Sequence, residues 1–151
     1  MKIEKIISGG QTGADRAALD AAIACGVPYS GWCPKGRLAE DGPIADCYEL
    51  QEMEDVDYPS RTRANVEAAD LTLIFSHGPL TGGSLLTQQF AEELGKPCVH
   101  IDLNESFQAL EVLSSHRPDI GKFVMNVAGP RASGDPKIYD AVYEQMFHLL
   151  R

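Results

Sequence analysis

Two glycine pairs stand where a backbone can meet an anion: Gly9/Gly10 in SGGQTGAD and Gly82/Gly83 in LTGGSLLT. Glycine lets the main chain approach a charged group closely. Where a helix begins just afterwards, its first-turn N–H groups have no carbonyl of their own to meet. Phosphate suits such a loop, because it draws on those N–H groups and on the positive end of the helix dipole. Thr12, Thr81, Ser84 and Thr87 add hydroxyls beside the glycines. One such loop is weak evidence, since any tight turn uses glycine. Two in one chain favour an anion site over ordinary turns.

A third stretch, NVAGPRAS, carries Asn126, Gly129, Arg131 and Ser133. An arginine there can clamp a phosphate through two parallel N–H groups, although spacing alone fits a surface arginine equally well. Lys35 and Arg37 in PKGR form a second cationic pair, for which a solvated loop is the simpler reading. The first glycine loop fits neither GxGxxG nor GxxxxGK[ST], so standard dinucleotide binding and Walker-type ATP hydrolysis lose their main support.

The chain offers little for catalysis. Asp15, Asp41, Asp46 and Asp70 are acidic candidates without a base or metal partner evident in the sequence. Thr12 with Asp15 three residues on resembles a capping box, with Asp in place of Glu, which makes Asp15 a helix cap before it is an acid. His77 lies in the loop before the second glycine pair, where it can reach a ligand or simply face solvent. There is no GxSxG elbow and no Cys/His signature. Tyr29 and Trp32 flank the second strand; one can stack on a ring, though core packing is the default for Trp32. Cys25, Cys33, Cys47 and Cys98 are widely spaced, which suits reduced packing thiols and predicts no metal site; Cys33, near the cationic loop, is the one thiol worth following.

These residues need a frame. Ile3 to Ser8 reads as a buried strand, followed by the first glycine loop and an alanine-rich helix that stops at Gly26. Val27 to Trp32 reads as a second strand, and Cys47 to Met53 as a short edge strand after a loop-like stretch. A helix from Ser60 follows, then the apolar strand Leu71 to Phe75 and the helix SLLTQQFAEELG. Cys98 to Ile101 is the next strand. Glu105 to Ser115 then forms an amphipathic helix with Phe107, Leu110 and Val112/Leu113 on one face. A final strand spans Phe123 to Ala128, and a last helix starts near Pro136. This alternation predicts an α/β fold of Rossmann type: one domain over residues 1–151, three layers α/β/α, with a mainly parallel sheet. In such sheets ligands bind beyond the carboxyl ends of strands where the strand order reverses, so the first strand and Leu71 to Phe75 are expected to be neighbours there.

With 13 Lys plus Arg against 22 Asp plus Glu, the formal net charge is −9. Nucleic acid is therefore a poor partner, and an anionic ligand depends on local N–H groups and a few placed cations. No apolar run approaches a membrane span and the N-terminus lacks a signal-peptide core, so a soluble cytoplasmic protein is expected.

Taken together, GGQTGAD, PKGR with the following EDGPI, TRANVEAADLTLIF, TGGSLLT and NVAGPRAS resemble the molybdenum cofactor carrier protein family. That family lies within the Rossmann-like superfamily that includes the lonely-guy phosphoribohydrolases, or lysine-decarboxylase-like proteins. The resemblance runs in order from residue 8 to residue 133. It implies a domain that binds a phosphate-bearing pterin (molybdopterin, the molybdenum cofactor) or a nucleotide-like ligand, commonly as a homo-oligomer. By motif, the ligand-facing residues it implies are Gly9, Gly10, Thr12, Gly13, Lys35, Arg37, Asn65, Gly82, Gly83, Thr87 and Arg131, with no direct metal ligand assigned. The phosphoribohydrolase branch resembles PGGxGTxxE. Here Thr81 stands at the proline, Leu85 and Leu86 at the later glycine and threonine, and Gln89 at the glutamate. A neutral amide cannot act as a carboxylate base or stabilise an oxocarbenium ion by charge. The expectation is a binding and carrier protein. A nucleotide or ADP-ribose-type sensor, and an N-glycosidase-like hydrolase using Asp15, Asp41 or Glu92, stand as alternatives.

Overall fold

The structure, a computed structural model, describes residues 2–105, 108–116 and 121–151. Its central sheet has five parallel strands in the order β2-β1-β9-β7-β8. These are β1 (Lys2–Ile7), β2 (Tyr29–Ser30), β7 (Leu71–Ser76), β8 (Cys98–Asp102) and β9 (Lys122–Ala128). Between β2 and β7 lie two small ribbons. One pairs β3 (Trp32–Cys33) with β6 (Gln51–Glu52), and the other is a hairpin of β4 (Leu38–Ala39) and β5 (Gly42–Pro43). The helices are α1 (Ala14–Cys25), α2 (Tyr58–Ala68), α3 (Gly82–Glu93), α4 (Ala109–His116) and α5 (Ile138–Leu150). The three-layer Rossmann-like arrangement expected from the sequence is present, and no described helix is long and apolar enough to cross a membrane.

Strand β7, LTLIFS, is buried at every position, as a central parallel strand covered on both faces must be. Its residues Leu71, Leu73 and Phe75 join Ile6, Phe123, Met125 and Val127 in one core with α1 and α5. Five of the six alanines of α1 (Ala14, Ala17, Ala18, Ala21 and Ala22) are fully buried there. Side chains so small bring the helix close to its neighbours. On the other side of the sheet α2 packs on α3. Helix α2 starts at Asp57, whose carboxylate accepts from the Ser60 N–H at 2.7 Å, with a proline in the first turn.

Three expectations change. Strands β1 and β7 are not neighbours: β9 lies between them, with Ile7 in register with Asn126, and Asn126 with Thr72. The last strand of the chain thus fills the switch point and brings its own loop there. The Thr12/Asp15 capping box does not form; Gly13 is the N-cap of α1 and no side chain caps it. Finally, Leu113 is buried on α4 but Leu110 is half exposed, so the two do not share one buried face; Phe107 lies outside the described residues.

Candidate functional site

A cleft of about 900 Å³ opens beyond the carboxyl ends of β1, β9, β7 and β8. Its wall on the β7 side is Ser76, His77 and the 79–84 segment that leads into α3. On the β9 side it is Ala128 to Arg131 with Ser133 to Asp135 and Lys137. The N-terminal turns of α2 contribute Tyr58, Arg61 and Thr62, and the inner end is Gln11 and Asp15.

The α3 end is built to be open. A Cβ placed on Gly82 or Gly83 would meet nothing within 4 Å. Thr81 is the N-cap, yet its side chain makes no capping bond. The first-turn N–H groups therefore keep their hydrogen-bonding capacity and face the cleft with the positive helix end. Thr87 lies one turn further in, its hydroxyl donating to the Gly83 carbonyl at 2.9 Å.

The loop before α3 is fixed. Ser76 Oγ donates to the Gly78 carbonyl at 2.6 Å and lies 2.6 Å from His100 Nε2, so with that bond made the imidazole is the donor. Asp102 Oδ1 accepts from the Gly78 and Asn104 N–H groups at 2.8 and 3.0 Å. Those bonds hold its carboxyl below the usual range. On the cleft wall His77 Nδ1 meets Asp135 Oδ2 at 2.5 Å, which ties the β7 loop to the β9 loop.

Positive charge gathers around one ring. The Arg131 guanidinium stacks 4.2 Å above the centre of Tyr58, and that of Arg61 sits 5.5 Å from it. Arg61 Nη1 also reaches Asp15 Oδ2 at 3.3 Å. Asp15 is buried, and loss of solvent pushes its pKa up, against the pull of Arg61 foremost, the Gln11 N–H, Arg131 and Arg16. Two buried polar atoms here, Gln11 Oε1 and Arg61 Nε, have no partner among the described residues.

Of the residues that the resemblance implies, Gly82, Gly83, Thr87 and Arg131 line this cleft together. Thr81, Ser84, Gly129, Ser133, Asp15 and His77 join them there. The first glycine loop lies behind the wall. A Cβ on Gly9 would fall 2.0 Å from Arg61 Nη1, and one on Gly10 2.5 Å from Leu50 Cδ1. Gly13 has φ +80° and its missing Cβ would sit 2.4 Å from the Pro130 carbonyl, so only glycine lets the two loops close on each other. Thr12 Oγ1 accepts from the Ala132 N–H at 3.1 Å and donates to Glu40.

Three others stand apart. Asn65 clamps β3 with both ends of its amide, accepting from Trp32 N at 2.8 Å and donating to Trp32 O at 3.0 Å. Arg37, at φ +56°, donates to the carbonyls of Ile44, Ala45, Tyr48 and Leu50, caging the segment after the hairpin. Lys35 is exposed beside it and off the cleft. Among the acidic candidates, Asp41 pairs with Arg16, Asp70 accepts from the Val124 N–H at 2.8 Å, and Asp46 is exposed. Trp32 lines a separate groove, and Cys33 is a buried thiol whose pKa burial pushes up.

Sequence reasoning did not single out Gln11, Tyr58, Arg61, Asp135 or Lys137. Gln11 stands inside the GGQTG motif and could have been found there. Tyr58 and Arg61 reach the cleft from α2, whose packing against α3 and β9 no local spacing encodes. Among the described residues, no three His, Cys, Asp or Glu side chains converge on a point that could hold a metal ion.

Comparison with known proteins places this geometry in a family. The crystal structure of a "putative molybdenum carrier protein" from Syntrophus aciditrophicus SB is 54% identical, with a TM-score of 0.87 over 96% of this chain and 94% of that one. No curated protein matches. The model of the circularly permutated YpsA SLOG family matches residues 6–150, nearly the whole length. The chain belongs to the circularly permutated YpsA SLOG family.

Proposed function

We propose that this protein binds and carries a phosphate-bearing pterin, the molybdenum cofactor, in the cleft between α3 and the loop after β9. The observation that carries the proposal is the meeting, on one cleft, of an uncapped glycine-rich helix start and the Arg131 guanidinium. A phosphate seated there takes N–H groups from Gly82, Gly83 and Ser84 and positive charge from Arg131 and Lys137. Tyr58 offers a ring face alongside for a flat heterocycle. The pairings at Thr12, Gly13 and Glu40 act from behind, holding the β1 and β9 loops in register.

The donor set fits the organic part of such a cofactor: amides and guanidinium for phosphate, an aromatic face for the ring. The molybdenum centre would be carried by the pterin and not by protein ligands. The name of the 54% identical protein, a molybdenum carrier, supports the molybdenum part of that cargo. A carrier also agrees with Gln89, which is exposed on α3 and off the cleft, so no carboxylate occupies the position of the hydrolytic glutamate. Assembly as a homo-oligomer is part of the proposal, and light scattering on the purified protein reads it directly.

The test is retention and protection. Protein mixed with molybdenum cofactor and passed through gel filtration is expected to hold about one cofactor per chain and to slow its oxidation in air. Failure to retain or protect the cofactor overturns the proposal. Release of free base from nucleoside monophosphates would instead establish the hydrolase. A nucleotide bound unchanged in preference to the pterin would establish the sensor.

A further inference from the structure

The inner end of the cleft holds a set of hydrogen-bonding groups that the phosphate seat does not use. Asp15 lies at its centre: its Oδ2 accepts from the Gln11 N–H and from Arg61 Nη1, both at 3.3 Å. On one side is Gln11, 2% exposed, with an Oε1 that has no partner. The orientation of its amide is fixed, because Nε2 donates to the Leu38 carbonyl at 2.8 Å. On the other side is Arg61, whose Nε–H is equally unpartnered. Solvent satisfies neither atom, and an unmade buried hydrogen bond is costly. The groups left over are an acceptor on Gln11 and a donor on Arg61, with the Asp15 carboxylate, itself an acceptor, bonded to both residues.

The complement of that set is two donors and one acceptor, which a flat ring can present along one edge. An exocyclic amine, a ring N–H and a ring carbonyl supply it. We propose that Gln11, Asp15 and Arg61 select a 2-amino-4-oxo heterocycle, the ring edge that pterin and guanine share. The amine donates to Gln11 Oε1, the ring N–H to the Asp15 carboxylate, and the carbonyl accepts from Arg61 Nε–H, after a small shift of the Arg61 chain that opens the wall. Tyr58, with the Arg131 and Arg61 guanidinium groups 4.2 and 5.5 Å from its ring centre, stands on the same cleft. A ring N–H on the carboxylate also offsets the desolvation that burial imposes on Asp15. Adenine fails on this wall: it presents no N–H at the central position and no carbonyl to Arg61. Hypoxanthine keeps the N–H and carbonyl but lacks the amine.

This inference rests on the proposed cleft as the ligand site but not on the phosphate seat, and one set of titrations separates the two. Calorimetry on the full chain uses GMP, IMP, AMP, guanosine, neopterin and neopterin phosphate. The expected order is GMP tighter than IMP, and IMP tighter than AMP, with GMP over AMP by about tenfold or more, since a site built to pair polar groups rejects a ligand that leaves them unpaired. D15N is expected to bring GMP and AMP within about threefold of each other. The series on the unaltered protein decides the matter even where D15N does not fold. Equal binding of GMP and AMP, or a preference for AMP, overturns the ring selection while leaving the phosphate seat in place. Guanosine binding as tightly as GMP overturns the phosphate seat while leaving the ring selection in place. Neopterin phosphate against GMP identifies which source of the edge the cleft prefers, and failure of both guanine and pterin ligands to bind overturns the inference outright.

Discussion

The two glycine loops look alike in sequence and do opposite things in the fold. Gly9, Gly10 and Gly13 are buried, and another group lies where each Cβ would be: the ends of the Arg61 and Leu50 side chains for the first two, the Pro130 carbonyl for Gly13. Gly82 and Gly83 are exposed and have nothing within 4 Å of that position. The first loop is a packing joint between β1, α2 and the loop after β9. The second is an open helix start on a cleft. A glycine pair after a strand therefore signals close approach of something, and only the tertiary structure tells whether that is the protein itself or a ligand.

Substitution breaks the comparison most sharply at Gly13. Gly13→Ala forces an L side chain to φ +80° and against a backbone carbonyl that has no room to yield. A loss of about 3 kcal/mol or more is expected in denaturant unfolding. A loss below about 1 kcal/mol would mean that the joint is loose and the contrast with the second loop unfounded. Next in size is Asn65→Ala, which strips both bonds to Trp32 and leaves its N–H and carbonyl without the Asn65 amide. About 2 kcal/mol should disappear from the same measurement. Affinity for a pterin phosphate should stay within about threefold, because Asn65 lies off the cleft.

The second loop should respond in the other direction. Gly83 lies in the first turn of α3 with ordinary φ and open space, so Gly83→Ala should raise stability by about 0.5–1 kcal/mol. A destabilised Gly83→Ala would place a hidden contact there and erase the difference between the loops.

The smallest effect concerns pH. Glu40 accepts from Thr12 Oγ1 and from the Ser133 N–H at 3.1 Å, latching the hairpin across the joint. The hydrogen bonds from Ser133 and Thr12 hold its pKa below the ordinary 4.5. A carboxyl lowered on folding adds stability that is complete above 4.5 and disappears as pH falls through the folded value. The acid limb of the stability curve should therefore be shallower for Glu40→Gln than for the unaltered protein. Parallel acid limbs would mean that the latch is not made in solution.

Much of this was legible in the sequence because it is local. The apolar run to Ile7 or Phe75 followed by glycines marks a strand end and a helix start, and both units form where expected. What the sequence withheld is order in space. Strand β9, last in the chain, inserts between β1 and β7, and nothing in the periodicity of Lys122–Ala128 says so. Asp15 looked like a cap because its spacing from Thr12 is right. The structure turns it inward to Arg61, a residue 46 positions away on α2. Tyr58 and Arg61 carry no motif at all, and their importance arises only from meeting Arg131 and Asp15 across the cleft.

The central claim is that the open helix start and Arg131 form the anion seat, while the cationic pair near the hairpin does not touch the ligand. Equilibrium binding of a pterin phosphate to the unaltered protein, to Arg131→Ala and to Lys35→Ala tests it most directly. Arg131→Ala should weaken binding by about tenfold or more, the loss of a charge-assisted bidentate contact, with little change in stability. Lys35→Ala should bind as the unaltered protein does. If Lys35→Ala weakens binding as much as Arg131→Ala, or if Arg131→Ala binds normally, the seat lies elsewhere and the account is contradicted.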